Sequence, residues 1–134
     1  MAAAGFELER LGLCRVDAGP AEDYGVSCEF WAPANGGAGA TVELVSPARA
    51  GSAIDSSLAS RGPGLHHLAV EVDDVGEALE TLRRSGGVRL DRQPRTGARD
   101  GMRVAFVYLG RATGLVVELV DYRGPRRGTT GGRL

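Results

Sequence analysis

The strongest constraint in this chain is a strand that runs straight into a capped helix. Leu65-His66-His67-Leu68-Ala69-Val70-Glu71-Val72 alternates along its length. In an extended segment Leu68, Val70 and Val72 fall on one face, and His67, Ala69 and Glu71 on the other. Asp74 follows, and Glu77 three residues later makes a capping box ahead of Val75, Ala78, Leu79 and Leu82 at helical spacing. Gly86-Gly87 stops that helix. Both elements have an apolar side to bury, so the chain is committed to an α+β fold.

The strands that cover those faces are legible downstream. Val88-Arg89-Leu90 is a short strand, Gln93 to Gly101 a turn-rich loop, and Met102 to Leu109 and Leu115 to Tyr122 two further strands joined across Gly110 to Gly114. The second half therefore reads β-α-β-β-β. In the first half Gly25 to Ala32 and Thr41 to Val45 read as a hairpin around the Gly-rich stretch Asn35-Gly36-Gly37-Ala38-Gly39. That stretch lacks the Lys and the strand-loop-helix context of a phosphate loop. A short helix is predicted between Ser52 and Ser60, with Ser52 and Asp55 in capping spacing. Residues 1 to 20 admit two readings: Ala2 to Gly12 as the end of a helix followed by a strand from Leu13 to Asp17, or Phe6 to Val16 as a first strand. Residues 123 to 134, rich in Gly and Arg without apolar periodicity, read as a disordered tail.

With 134 residues, 43% hydrophobic and 25% charged, there is enough chain for one domain with a real core and too little for two. The expected organisation is a single domain over 1–122, with a first module over about 1–48 and a second over about 64–122. A formal charge of −1 supplies no field to attract nucleic acid or an anionic membrane. All sixteen basic residues are Arg, so lysine Schiff-base and lysine general-base chemistry are excluded. Cys14 and Cys28 have neither metal-site nor disulfide-scaffold spacing and read as reduced thiols. With no apolar run of spanning length, the expected location is the cytoplasm.

The order and spacing of Val42-Glu43-Leu44-Val45-Ser46-Pro47, Gly62 to Asp74, Pro94-Arg95-Thr96-Gly97-Ala98 and Gly114 to Leu119 resemble the methylmalonyl-CoA epimerase family over roughly residues 41 to 122. That family is part of the vicinal oxygen chelate (glyoxalase/bleomycin resistance) superfamily. The resemblance implies paired βαβββ modules whose sheet curls around a cleft, here with the first module shortened. It also implies a divalent metal, Co, Mn, Zn, Fe or Mg, held by Glu43, His67 and Glu118. The family's N-terminal His ligand has no counterpart: if Phe6 to Val16 is the first strand its place falls near Arg10, and otherwise that strand is missing. The family's catalytic Glu, aligned without gaps on Gly25 and Ala32-Pro33, falls on Cys28, with Glu29 one residue off and facing the other side. Cys28 and Glu118 are then the candidates for acid–base work.

The residues support such a site independently. Alternation puts His67 opposite Leu68, Val70 and Val72, Glu118 opposite Val117 and Leu119, and Glu43 opposite Val42 and Leu44. One imidazole and two carboxylates suit a divalent cation, the His favouring transition metals. His66 points the other way and reads as a packing or surface residue.

Two functional readings follow. One is an isomerase or lyase that chelates neighbouring oxygens of an acyl-CoA or other acyl thioester and acts through a metal-stabilised enolate, a pathway-specific relative of the epimerases. The other is a metal-free binding protein of the antibiotic-sequestering kind, its cleft walled by Phe30, Trp31, Phe106 and Tyr108. Exposed strand edges point to a homodimer in either case.

Overall fold

The computed structural model describes residues 2–37, 39–86 and 89–123. The chain runs α1 (Ala2–Arg10), β1 (Leu13–Ala21), a 3-10 turn (Glu22–Tyr24), β2 (Val26–Pro33), β3 (Val42–Pro47), α2 (Asp55–Arg61), β4 (Leu68–Glu71), α3 (Val75–Ser85), β5 (Arg89–Leu90), β6 (Arg95–Thr96), β7 (Met102–Tyr108) and β8 (Val116–Tyr122). Ala38 in the first hairpin, Gly87 and Val88 after α3, and residues 124–134 of the expected tail lie outside the described residues. Arg123, which sequence assigned to that tail, is tied down: its N–H donates to the Gly101 carbonyl and its guanidinium pairs with Asp74.

Of the two N-terminal readings, the helix is the one observed. Gly12, at φ 83°, turns the chain from α1 into β1. The helix lies close against sheet residues, so that a methyl group on Gly5 would stand 2.9 Å from the Trp31 ring. Trp31 is thereby buried beneath α1, and Arg10 sits in the last helical turn paired with Glu7, away from any strand.

Two sheets result. β1, β2 and β3 form an antiparallel meander in that order, with a register shift between Arg15 and Asp17. The second sheet has the order β4-β8-β7-β5, with β6 also on β7, and its β4–β8 pair is parallel. The architecture is the expected α+β arrangement, with α1 as the first element among the described residues.

Alternation on β7 and β8 divides the core into two. Val75 and Leu79 of α3 pack with Ala105, Val107 and Leu119 on the outer face of the second sheet. Met102, Val104 and Val120 on the inner face meet Val26, Cys28 and Phe30 of the first sheet. The helix α3 begins where expected, with Asp74 accepting the Glu77 N–H at 3.0 Å. The start of α2 differs from expectation. Ile54, which has no polar side-chain atom to bond with, occupies the cap position, and Asp55 turns back to accept the Gly51 N–H at 2.8 Å and the Ser52 hydroxyl.

The strand expected over Leu65 to Val72 shrinks to Leu68–Glu71. Its ladder with β8 begins at the Leu68–Val117 pair, and the residues before Leu68 take no part in it. Being at a sheet edge, β4 also leaves its apolar side open: Leu68 and Val70 are each 49% exposed. No helix among the described residues is long and apolar enough to cross a membrane.

Asp121 on the outer face of β8 fixes α3 to the sheet. Its carboxylate accepts the Val75 N–H at 2.7 Å and takes Arg103 in a two-point bond, Nε at 3.0 Å and Nη2 at 2.6 Å. Replacing it by Ala leaves the Val75 N–H without its partner and Arg103 with Asp74 alone. The Asp121→Ala variant should lose roughly 3 kcal/mol of unfolding free energy in urea titrations, with Asp121→Asn losing less.

Candidate metal centre

Three elements deliver three donor groups to one place. Glu43 comes from β3, opposite Phe30 of β2; Glu118 comes from β8, between Ala69 of β4 and Phe106 of β7; His67 immediately precedes β4. One donor atom from each lies within 4.8 Å of the others. His67 Nε2 is the shared centre, 3.2 Å from Glu43 Oε2 and 3.7 Å from Glu118 Oε2. The chain thus brings together the three residues that sequence proposed as ligands.

Burial makes this cluster electrostatically tense. Glu118 is 5% exposed, and its Oε1 is buried without a hydrogen-bond partner. Desolvation first, and then the neighbouring Glu43 charge, push its carboxyl up to about 7, with His67 only partly offsetting them. Burial would lower the His67 imidazole, but the hydrogen bond to Glu43 and the Glu118 charge outweigh it and hold it above its ordinary value. Two carboxylates and an imidazole form a donor set suited to a divalent cation, and the orphaned Oε1 is an atom that such a cation would satisfy.

The cluster opens on a cavity of about 250 Å³ between the sheets. Cys28 lines it from β2, while Glu29, one residue on, faces away and accepts from the Trp31 indole at 3.1 Å. Burial, then the Glu43 and Glu118 carboxylates, push the Cys28 thiol up, so it keeps its proton at neutral pH. Of the four aromatic residues expected to wall the cleft, Phe106 lines it and Phe30, Trp31 and Tyr108 do not. Trp31 is on the α1 side of β2, and Phe30 packs in the core under the Arg99 guanidinium.

His66 corrects another expectation. Because residues 65–67 precede β4, strand alternation does not govern them, and His66 lines the same cavity as His67. Its Nδ1 is 2.9 Å from His67 Nδ1. Two further residues were missed from sequence. Tyr24 and Asp91 line the cavity on the far side of the Phe106 ring, and the Tyr24 hydroxyl donates to Asp91 Oδ2 at 3.1 Å. Asp91 Oδ2 also accepts the Phe106 N–H. These residues are 67 positions apart, and nothing local in the sequence marks either one.

The model of the Glyoxalase/Bleomycin resistance protein/Dioxygenase superfamily matches residues 2–106. Methylmalonyl-CoA epimerase from Mycobacterium tuberculosis has a similar structure, with a TM-score of 0.76 and 31% identity, covering 92% of this chain and 80% of its own. The Streptomyces coelicolor methylmalonyl-CoA epimerase in complex with 2-nitronate-propionyl-CoA gives 0.76 at 29% identity, covering 92% and 89%. Among curated proteins, the mitochondrial methylmalonyl-CoA epimerase of Dictyostelium discoideum is 34% identical over 82 residues, 60% of this chain. The chain spans about half the length of the curated relatives it matches, 48% of that one and 59% of an uncharacterised Bacillus subtilis protein.

A raised carboxyl pKa means that the folded protein binds this proton more tightly than the unfolded chain. The stability it contributes is complete below the ordinary value of 4.5 and is lost as pH rises through about 7. In chelator, the unfolding free energy should therefore fall by on the order of 3 kcal/mol between about pH 5 and pH 8. Denaturant titrations of Glu118→Gln across the same range should show a much flatter profile.

Proposed function

This chain belongs to the glyoxalase/bleomycin resistance protein/dioxygenase superfamily, and we propose that within it the protein is a metal-dependent isomerase or lyase of the methylmalonyl-CoA epimerase type, a relative acting on an acyl-CoA or other acyl thioester. The observation that carries this reading is the convergence of Glu43, His67 and Glu118 at the wall of a half-open cavity, with one buried carboxylate oxygen unpartnered. Two relatives of known structure carry the epimerase name, and one of them is in complex with an acyl-CoA analogue.

Glu43, His67 and Glu118 would hold the cation. When bound, it supplies Lewis-acid chemistry to two neighbouring oxygens of a substrate, lowering the cost of removing the proton between them. The protein's own residues supply the rest. The mostly apolar lining from Val26, Val45, Ile54, Met102 and Val104 keeps bulk water from the reacting carbon. Cys28, held as a neutral thiol on the inner face of β2, is no base there, and the burial that keeps its proton on also makes it a weak acid. Tyr24, its hydroxyl raised by burial and then by Asp91, stays protonated as well and is a fixed hydrogen-bonding group at the far wall. Abstraction falls to a carboxylate, and Glu118, buried at the cavity wall with one oxygen unpartnered, is the one placed for it.

The reading includes a cytoplasmic homodimer. Protein purified without added metal should contain a stoichiometric divalent transition metal by elemental analysis, and His67→Ala should lose it; a metal-free wild-type chain that takes up none on dialysis rejects the reading. With Co or Mn present, methylmalonyl-CoA in deuterium oxide should exchange its α-proton. Metal uptake without exchange excludes methylmalonyl-CoA as the substrate and leaves the relative with another acyl thioester.

A further inference from the structure

We propose that His66 is a positioning residue that sets the ring state of His67, and so selects His67 Nε2 as the ligating atom of the metal centre. This rests on the metal-dependent function proposed above. Nε2 is the atom aimed at both carboxylates, at 3.2 Å and 3.7 Å. A neutral imidazole that donates its Nε2 lone pair to a cation must carry its proton on Nδ1. That Nδ1 meets His66 Nδ1 at 2.9 Å, close enough for a hydrogen bond. His66 Nδ1 then has to be the acceptor, and His66 carries its own proton on Nε2.

The geometry around the pair is fixed by packing. The two imidazoles stand edge to face with centroids 5.2 Å apart, and each stands edge to face with Phe106, at 6.3 Å for His66 and 5.3 Å for His67. Phe106 is itself held by two bonds to Asp91, its N–H to the carboxylate at 2.9 Å and its carbonyl to the Asp91 N–H at 3.0 Å. An outer partner that orients a ligating His raises its basicity and restricts its rotation, and loss of such a partner weakens metal binding about 10- to 100-fold.

The substitutions that isolate this role differ in whether they keep an acceptor at the place of Nδ1. Asn at position 66 can place Oδ1 where the imidazole has Nδ1, whereas Phe keeps the ring and removes the acceptor. Zinc affinity, measured by competition with a chromophoric chelator, should be within about threefold of wild type for His66→Asn and about 10- to 100-fold weaker for His66→Phe. Long-range proton–nitrogen NMR of the zinc-loaded wild type should show His67 protonated at Nδ1, with Nε2 bound. A purely structural role would change the unfolding midpoint of both variants without this split in affinity. Equal affinities for His66→Phe and wild type, weak binding by both variants, or a His67 proton on Nε2 in the zinc form overturns the assignment while leaving the metal reading intact. A wild-type chain that binds no zinc, cobalt or manganese overturns both.

Discussion

Two carboxylates face one imidazole across the seam between two sheets that, among the described residues, share no backbone hydrogen bonds. Glu43 belongs to the first sheet and Glu118 to the second, with His67 at the mouth of β4 beside both. The seam is otherwise closed by side chains. Asp17 pairs with Arg99 at 3.0 Å, Tyr24 reaches Asp91, and Asp23 accepts the Thr96 N–H. Between these contacts lies the apolar cluster around Phe30, Met102 and Val104. The cavity is therefore a gap in a packed interface, and its polar groups are those that the interface brings in and does not fully pair.

This explains which parts could be read from sequence. The helix α3 and the inner-face positions of Glu43, Cys28 and Glu118 follow from local rules, a capping residue and a period of two, and those rules hold wherever a strand is paired. Alternation fails at His66 because the β4–β8 ladder begins only at Leu68. It also misleads at Trp31. A large aromatic residue on β2 could serve a ligand cleft or a helix, and only the close approach of Gly5 reveals that α1 takes it. Tyr24 and Asp91 are joined across 67 residues by the folding of one sheet onto the other, which no window of sequence contains. The start of α2 misled for a smaller reason: Ser52 and Asp55 have capping spacing, but Ser52 bonds to the Asp55 side chain, which also accepts the Gly51 N–H, and the helix begins one residue after Ile54 without a side-chain cap.

The N-terminal region shows the same limit from another side. Phe6 to Val16 contains enough apolar residues to suggest a strand, yet Phe6 and Leu11 remain 60% and 76% exposed on and after α1. What fixes the helix is its tertiary contact with the outer face of β2, where Trp31 needs cover. Among the described residues β3 and β4 each end a sheet, and Glu43 and His67 stand on or next to those two edges. The three-donor cluster accordingly lies where the two sheet edges face each other's side chains.

The strand β8 shows how one local pattern serves opposite electrostatic ends. Glu118 and Asp121 are three residues apart on opposite faces and almost equally buried, 5% and 2% exposed. Burial alone would raise both carboxyls. On the outer face Asp121 is met by Arg103, by the Val75 N–H and by Arg123, which together hold it below the usual range and make it an anchor for α3. On the inner face Glu118 meets another carboxylate and a shared imidazole, and it is pushed up instead. The difference lies in what each face of the strand packs against, since β8 itself is continuous through both. A paired carboxylate contributes to holding the fold, and an underpaired one three residues away is left available for chemistry, so the strand that secures the helix is also the strand that carries the reactive group.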